Sequence, residues 1–581
     1  MNNSIRTAAK TMAAVIAAGA MAVAPVAGTI NFGAMTAMAA PTADDKGTIS
    51  VSGVGTGATV NAYQIVKAKY SDAGFEKWEY NGTALANADG TYTPTVTEMA
   101  TLVAAIKADT QHTTYTKVEL TYNQTSQKYT SSQAPAGEYV VLVESTGNND
   151  TYVYNPMVVS TSYDKNDTLT TNGTADATTN FGSGDTAYAK RSEIPLTKTI
   201  TNLDGESGKK SGTEAQGEDL QVGDTGDFKI TSKIPSYSSA YTNVTFTLTD
   251  IQDAGFNAPT DITVYVGGLD DTHKVTENAT STFSITKETT RAQQTDKDGK
   301  VTAKALDTND FEVSFVSSYI LAHTGEDVYV TYKSVLNENA VQANASDDNI
   351  NQNTVGLVYT KDIFENTDAK EAETYHYTFP VNVFKQAAET TADANQDGNK
   401  KYTTDGHEIL SGAKFEITRM HIDTTEGNTK GKLVAYTDTE HVAYPGTEAK
   451  TDTKEVTTDA DGKAVFNDLD EGYYMIKETQ APSGFSTNTE AFYIKITPTY
   501  GDDGKLASYS VTQVGDDGQA TSIPQNSTGS VDDSTDTLTV NDTPMAGLPS
   551  TGARSALILT IAGIAVMITV MAASRRKKIA D

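Results

Sequence analysis

Short apolar runs alternating with polar residues dominate this chain, and they predict strands rather than helices. Val244, Phe246 and Leu248 alternate with threonines. Phe311, Val313 and Phe315 alternate with polar residues, and Phe492, Ile494 and Ile496 with Tyr493, Lys495 and Thr497. A period of two marks a half-buried strand. One segment departs from it. Met99, Leu102, Val103 and Ile106 recur at helical spacing behind a Thr95/Glu98 capping box, which predicts a helix. Strands are expected over Glu138 to Val143 and Tyr152 to Ser160, and a polar linker over 161–185. The stretch 458–466, with Asp459 and Gly462, carries a hairpin signal.

These elements group into three units: 41–188, 189–374 and 375–544, the third opening near Tyr375. The expectation is an all-β protein, a string of β-sandwiches with a small helix in the first. Abundant Thr and Tyr favour that class. Cysteine is absent, so no disulfide staples these units. The net charge of -31 argues against a nucleic-acid partner.

Both ends read as targeting signals. Arg6 and Lys10 precede an apolar stretch, Met12 to Ala27, and small residues through Ala40, the pattern of a secretory signal peptide over 1–40. Val26-Ala27-Gly28 is a second possible cleavage site. At the other end Ala556 to Ala573 is apolar and uncharged, about the length of a membrane-spanning helix. Arg575, Arg576, Lys577 and Lys578 follow, which belong on the cytoplasmic side. Directly in front stands Leu548-Pro549-Ser550-Thr551-Gly552. Pentapeptide, span and basic tail in that order resemble the cell-wall sorting signal of Gram-positive surface proteins. The resemblance implies that a sortase, a cysteine transpeptidase, cuts between Thr551 and Gly552.

Some charged and amide residues fall on apolar strand faces. Lys198 aligns with Ile194, Leu196 and Ile200, and Lys385 with Val381 and Val383. Asp250 follows Val244, Phe246 and Leu248, and Asn353 precedes Val355, Leu357 and Tyr359. Glu478 follows Tyr474 and Ile476. Near the last strand Asn541 is the candidate amide, but its parity is opposite to Leu538 and Val540, so a bulge or the strand end must turn it inward. Each of the two units thus offers a lysine, an acid and an asparagine. Burial favours a neutral lysine and a protonated acid. The amine can then attack the carboxamide while the acid polarises its carbonyl and carries protons to departing ammonia. The expected product is an intramolecular Lys–Asn isopeptide bond.

Residues 474–485, YMIKETQAPSGF, resemble the E-box Y-x-L-x-E-T-x-A-P-x-G-Y of major pilins in sortase-assembled pili, with Ile and Phe at two positions. That resemblance implies immunoglobulin-like sandwiches of the collagen-binding-protein B type. It also implies Glu478 as catalyst of a Lys385–Asn541 bond, and Lys198, Asp250 and Asn353 in the matching roles of the middle unit. Pilin shafts carry an acceptor lysine in a segment like V-Y-P-K; here Ala187-Tyr188-Ala189-Lys190 corresponds, and Lys165 in the linker is an alternative. The implied partners are a pilus sortase and a wall-anchoring sortase, other copies of this chain, tip or minor pilins, peptidoglycan and a host or matrix ligand. The implied location is the cell-wall-anchored surface. A monomeric wall-anchored adhesin and a wall hydrolase are the competing readings. No cofactor or metal is expected. Residues 393–398 open like a calcium loop but present Thr404 where a bidentate Glu is needed.

Overall fold

The structure is a computed structural model that describes residues 46–545 apart from 72–73, 81–82, 85–93, 146–149, 162–185, 204–205, 298, 344–349, 392–399, 437–452, 522–527 and 533–534. The signal peptide, Lys165, most of the linker, the calcium-like stretch 393–398, Leu548 to Gly552 and the span 556–573 lie outside the described residues. Among the described residues no helix is long and apolar enough to cross a membrane.

Strands dominate, as the alternation predicts. In the first unit the strand Thr59–Ser71 pairs with Gly74–Tyr80, Lys117–Asn123 and Gly137–Ser145. The helix spans Val96–Ala108 and buries Leu102, Val103 and Ile106. Its capping box is complete: Glu98 N donates to Thr95 Oγ1 at 3.3 Å, and Thr95 N donates to Glu98 Oε2 at 2.8 Å. The strand expected over 152–160 is split in two. Pro156 has no N–H and ends the first segment, so Tyr152–Tyr154 pairs with Arg191–Glu193 while Met157–Ser160 pairs with Gly137–Ser145.

The second unit is a two-sheet sandwich. One sheet runs Leu196–Ile200, Thr225–Lys233, Asp327–Val335, Thr260–Val266, Lys274–Val275. The other runs Gly217–Asp219, Thr367–Tyr377, Asn351–Thr360, Phe246–Gln252, Phe311–Phe315, Phe283–Lys287. A second short helix, Ser317–Ala322, was not expected. Between the sheets the Phe228 and Tyr332 rings stack at 5.1 Å, with Phe256 edge-on to Phe228 and Phe311 edge-on to Tyr332. The strand Thr367–Tyr377 pairs with Asn351–Thr360 along its length. The expected boundary at 375 therefore falls inside a strand of the second unit, and the chain passes to the third at Thr378.

In the third unit one sheet holds Phe379–Thr390 flanked by Lys463–Leu469 and, in parallel, by Thr537–Asp542. The facing sheet centres on Lys414–Ile422, Gly472–Gln480 and Ala491–Tyr500. The turn expected at 459–462 is present: Asp459 Oδ1 accepts from Asp461 N at 2.8 Å and Lys463 N at 2.9 Å. It does not close a hairpin. Thr453–Thr457 pairs with Lys414–Ile422, while Lys463–Leu469 pairs with Phe379–Thr390. The turn carries the chain from one sheet to the other.

Candidate functional sites: two buried lysine clusters

Lys198, Asp250 and Asn353 are fully buried and meet between the two sheets of the second unit. The lysine stands on the strand Leu196–Ile200 of one sheet. Asp250 and Asn353 stand on neighbouring strands of the other, where Asp250 pairs with Val355 and Gln252 with Asn353. Lys198 Nζ contacts both Asp250 Oδ2 and Asn353 Oδ1. Burial lowers the Lys198 pKa to about 8 despite the opposing Asp250 charge, and burial raises that of Asp250 against the lysine. Both shifts move the pair toward neutral amine and neutral acid.

Sequence reasoning missed three neighbours. The Tyr332 hydroxyl donates to Asp250 Oδ2 at 2.9 Å and accepts from Asn353 Nδ2 at 2.8 Å. Gln252 Oε1 accepts from the same Nδ2 at 3.3 Å. These contacts fix the amide with its oxygen toward the lysine and its nitrogen away. His376 packs edge-on to Phe228 at 5.2 Å, and burial lowers its pKa to about 3, with Lys198 adding to the effect. It adds no charge at neutral pH. Tyr332 shares a face with Val328 and Val330, so in sequence it reads as ordinary core.

The third unit differs. Lys385 Nζ is buried, lies 3.0 Å from Glu478 Oε1 and contacts Asp542 Oδ1. The side chains of all three are fully enclosed. Asn541, expected here, is not in the cluster. Its Oδ1 accepts from Gln386 Nε2 at 3.0 Å on the opposite face. The strand Thr537–Asp542 runs beside Phe379–Thr390 in unbroken register, pairing Lys385 with Val540, Gln386 with Asn541 and Ala387 with Asp542. With no bulge, Leu538, Val540 and Asp542 share the inner face, and all three are buried. The parity of Leu538 and Val540 was the signal that pointed to Asp542. Burial raises the Asp542 pKa to about 6, the Lys385 charge opposing and Glu478 adding to the rise.

Lys190 lies between two short strands, Thr186–Tyr188 and Arg191–Glu193, and its side chain is exposed. The backbone there is pinned rather than loose. Thr186–Tyr188 pairs in parallel with Ser50 to Ser52, Asn155 N donates to Lys190 O at 2.9 Å, and the Arg191 guanidinium sits 4.0 Å over the Tyr152 ring.

Two family models match parts of this chain. The T6 antigen Ig-like domain matches residues 44–191, and a prealbumin-like fold domain matches 398–509. The trypsin-resistant surface T6 protein of Streptococcus pyogenes serotype M6 is 23% identical over 466 residues, covering 79% of this chain and 74% of that one. The solved T6 backbone pilin of serotype M6 S. pyogenes, which has a modular three-domain structure, superposes with a TM-score of 0.51 at 18% identity, over 87% of this chain and 99% of that one. The fold, tandem β-sandwiches of Ig-like and prealbumin-like type, is that of a backbone pilin.

Proposed function

We propose that this chain is the shaft subunit of a covalently polymerised surface pilus. A three-unit pilin fold that encloses Lys198 against Asp250 and Asn353 at zero exposure carries this reading. A lysine buried in that way is strongly unfavourable unless its charge is removed or matched. Bond formation removes it. The Lys198 amine attacks the Asn353 side-chain carbonyl carbon, Asp250 polarises the carbonyl, gives a proton to the departing nitrogen and takes one back from the attacking nitrogen, and ammonia leaves as the C–N bond to Asn353 Nδ2 breaks. The new amide ties one sheet to the other.

Assembly uses a second lysine. The chain is exported by 1–40 and held by 556–573 until a pilus sortase cuts Leu548-Pro549-Ser550-Thr551-Gly552 between Thr551 and Gly552. The exposed Lys190 amine of the next copy displaces the sortase thiolate from the Thr551 carbonyl, forming an amide between subunits. A wall-anchoring sortase transfers the last subunit to peptidoglycan, and tip or minor pilins and a host or matrix ligand complete the assembly.

Cell-wall extracts test this. Wild type should give a high-mass ladder, and Lys190→Ala should give wall-attached monomer only. A ladder that survives Lys190→Ala but not Lys165→Ala moves the acceptor to the linker. A ladder absent from wild type makes the chain a monomeric adhesin.

A further inference from the structure

The third unit holds a lysine between two carboxyl groups, while Asn541 is bonded to Gln386 instead. Lys385 Nζ has Asp542 Oδ1 on one side and Glu478 Oε1 at 3.0 Å on the other. Asp542 comes from the strand parallel to that of Lys385, and Glu478 from the facing sheet. Glu478 Oε2 is held by Asn488 N at 2.6 Å, which fixes that carboxyl in place. The Asp542 side chain is fully enclosed beside the amine. The Phe415 ring closes the site at 5.4 Å from Nζ.

One ammonium cannot neutralise two enclosed carboxylates, so one of the acids must hold a proton. A fully enclosed acid held against an amine beside a second carboxyl is poorly settled as a carboxylate and well placed as an electrophile. A salt bridge alone leaves this imbalance in place; condensation removes it.

We propose that Lys385 Nζ and the Asp542 carboxyl condense to an amide with loss of water, Glu478 carrying the proton between them. This rests on the reading of the chain as an internally cross-linked pilin, and it replaces the asparagine of the third unit by an aspartate. The neutral amine attacks Asp542 Cγ and forms the C–N bond. Glu478 accepts the Nζ proton and returns it to the departing Asp542 oxygen, whose bond to Cγ breaks as water forms. Amine plus acid gives amide plus water, and no other reactant is required. Asn541 stays intact, bonded to Gln386.

Protease digestion of the denatured full-length chain, followed by fragment-ion mass spectrometry, tests this. A branched peptide should join Lys385 to Asp542 and weigh about 18 Da less than its two parts, whereas the Lys198–Asn353 branch, which releases ammonia, should weigh about 17 Da less. Asn541→Ala should retain the Lys385 branch, and Glu478→Gln should lose it while keeping the Lys198 branch. Fragment ions that place the branch at Asn541 would overturn the assignment. So would free Lys385 and Asp542 peptides beside an intact Lys198–Asn353 branch, with the pilin reading untouched. Absence of both branches would remove the internal cross-links altogether.

Discussion

At the scale of single residues, the middle unit surrounds Lys198 with groups of two kinds. In the proposed condensation the atoms whose bonds change belong to Lys198, Asp250 and Asn353. Tyr332 contains none, yet its hydroxyl touches both Asp250 and Asn353. Phenylalanine there would keep the stack on Phe228 while releasing the acid and the amide nitrogen. Losing a hydrogen bond to a buried polar group is worth on the order of 1–3 kcal/mol. Tyr332→Phe should therefore slow closure of the Lys198–Asn353 bond by about tenfold or more, measured as the branched fraction in protein sampled at short times after synthesis. Wild-type kinetics would reduce Tyr332 to a packing residue.

At the scale of elements, local rules held where the element was self-contained. The helix Val96–Ala108 has its start set by Thr95 and Glu98, and it also reaches the second unit. Ser239 Oγ donates to Val96 O at 2.8 Å, and Lys107 Nζ to Ile363 O at 3.0 Å. Replacing an N-cap threonine by alanine typically destabilises a helix by about 1 kcal/mol. Thr95→Ala should speed hydrogen exchange of the first-turn amides roughly fivefold, leaving the third unit unchanged. Equal exchange in the two proteins would mean that contacts with the second unit, not the cap, hold the first turn.

At the scale of the whole molecule, a titratable joint links the second and third units. Asp219, from the second, accepts from Glu471 N at 2.6 Å and from the Tyr500 hydroxyl at 3.0 Å, both from the third. Burial raises the Asp219 pKa well above the usual carboxylate range, with Asp470, Glu471 and Glu218 adding to the rise. Asp470 is held below its usual value by Arg419, at 2.8 Å, and by Asp219. A folded pKa above the unfolded value of about 3.9 means a contribution complete below that pH and lost as pH rises toward the folded value. Asp219→Asn mimics the protonated acid. It should raise the melting temperature at pH 7, and the gain over wild type should shrink as pH falls. A gain independent of pH would show that Asp219 is ionised in the fold.

The proposed cross-links would act at the same scale. Lys385 and Asp542 are 157 residues apart, and a bond between them closes a loop worth on the order of 5 kcal/mol in the chain-entropy model. Because their strands open and close the third unit, tension along the chain would pass through that bond. Glu478→Gln should lower the melting temperature and admit trypsin to the third unit. Equal resistance in the two proteins would leave the β-core carrying the load.

The sequence by itself determined the strand faces, because a period of two follows from the pleat whatever the strand's neighbours are. It thereby placed Lys198, Asp250, Asn353, Lys385 and Glu478 inward, and capping chemistry placed the helix start. The tertiary structure decided what depends on neighbours distant in the chain. Asp542 rather than Asn541 faces Lys385 because Thr537–Asp542 pairs without a bulge, and a bulge is a property of two strands together. Tyr332 reaches Asp250 and Asn353 only because the two sheets face each other. The stretch near 375 became a strand of the second unit because Asn351–Thr360 offered an unpaired edge along its length. Parity is local and can be read from the chain; register and partnership belong to the assembled sheets.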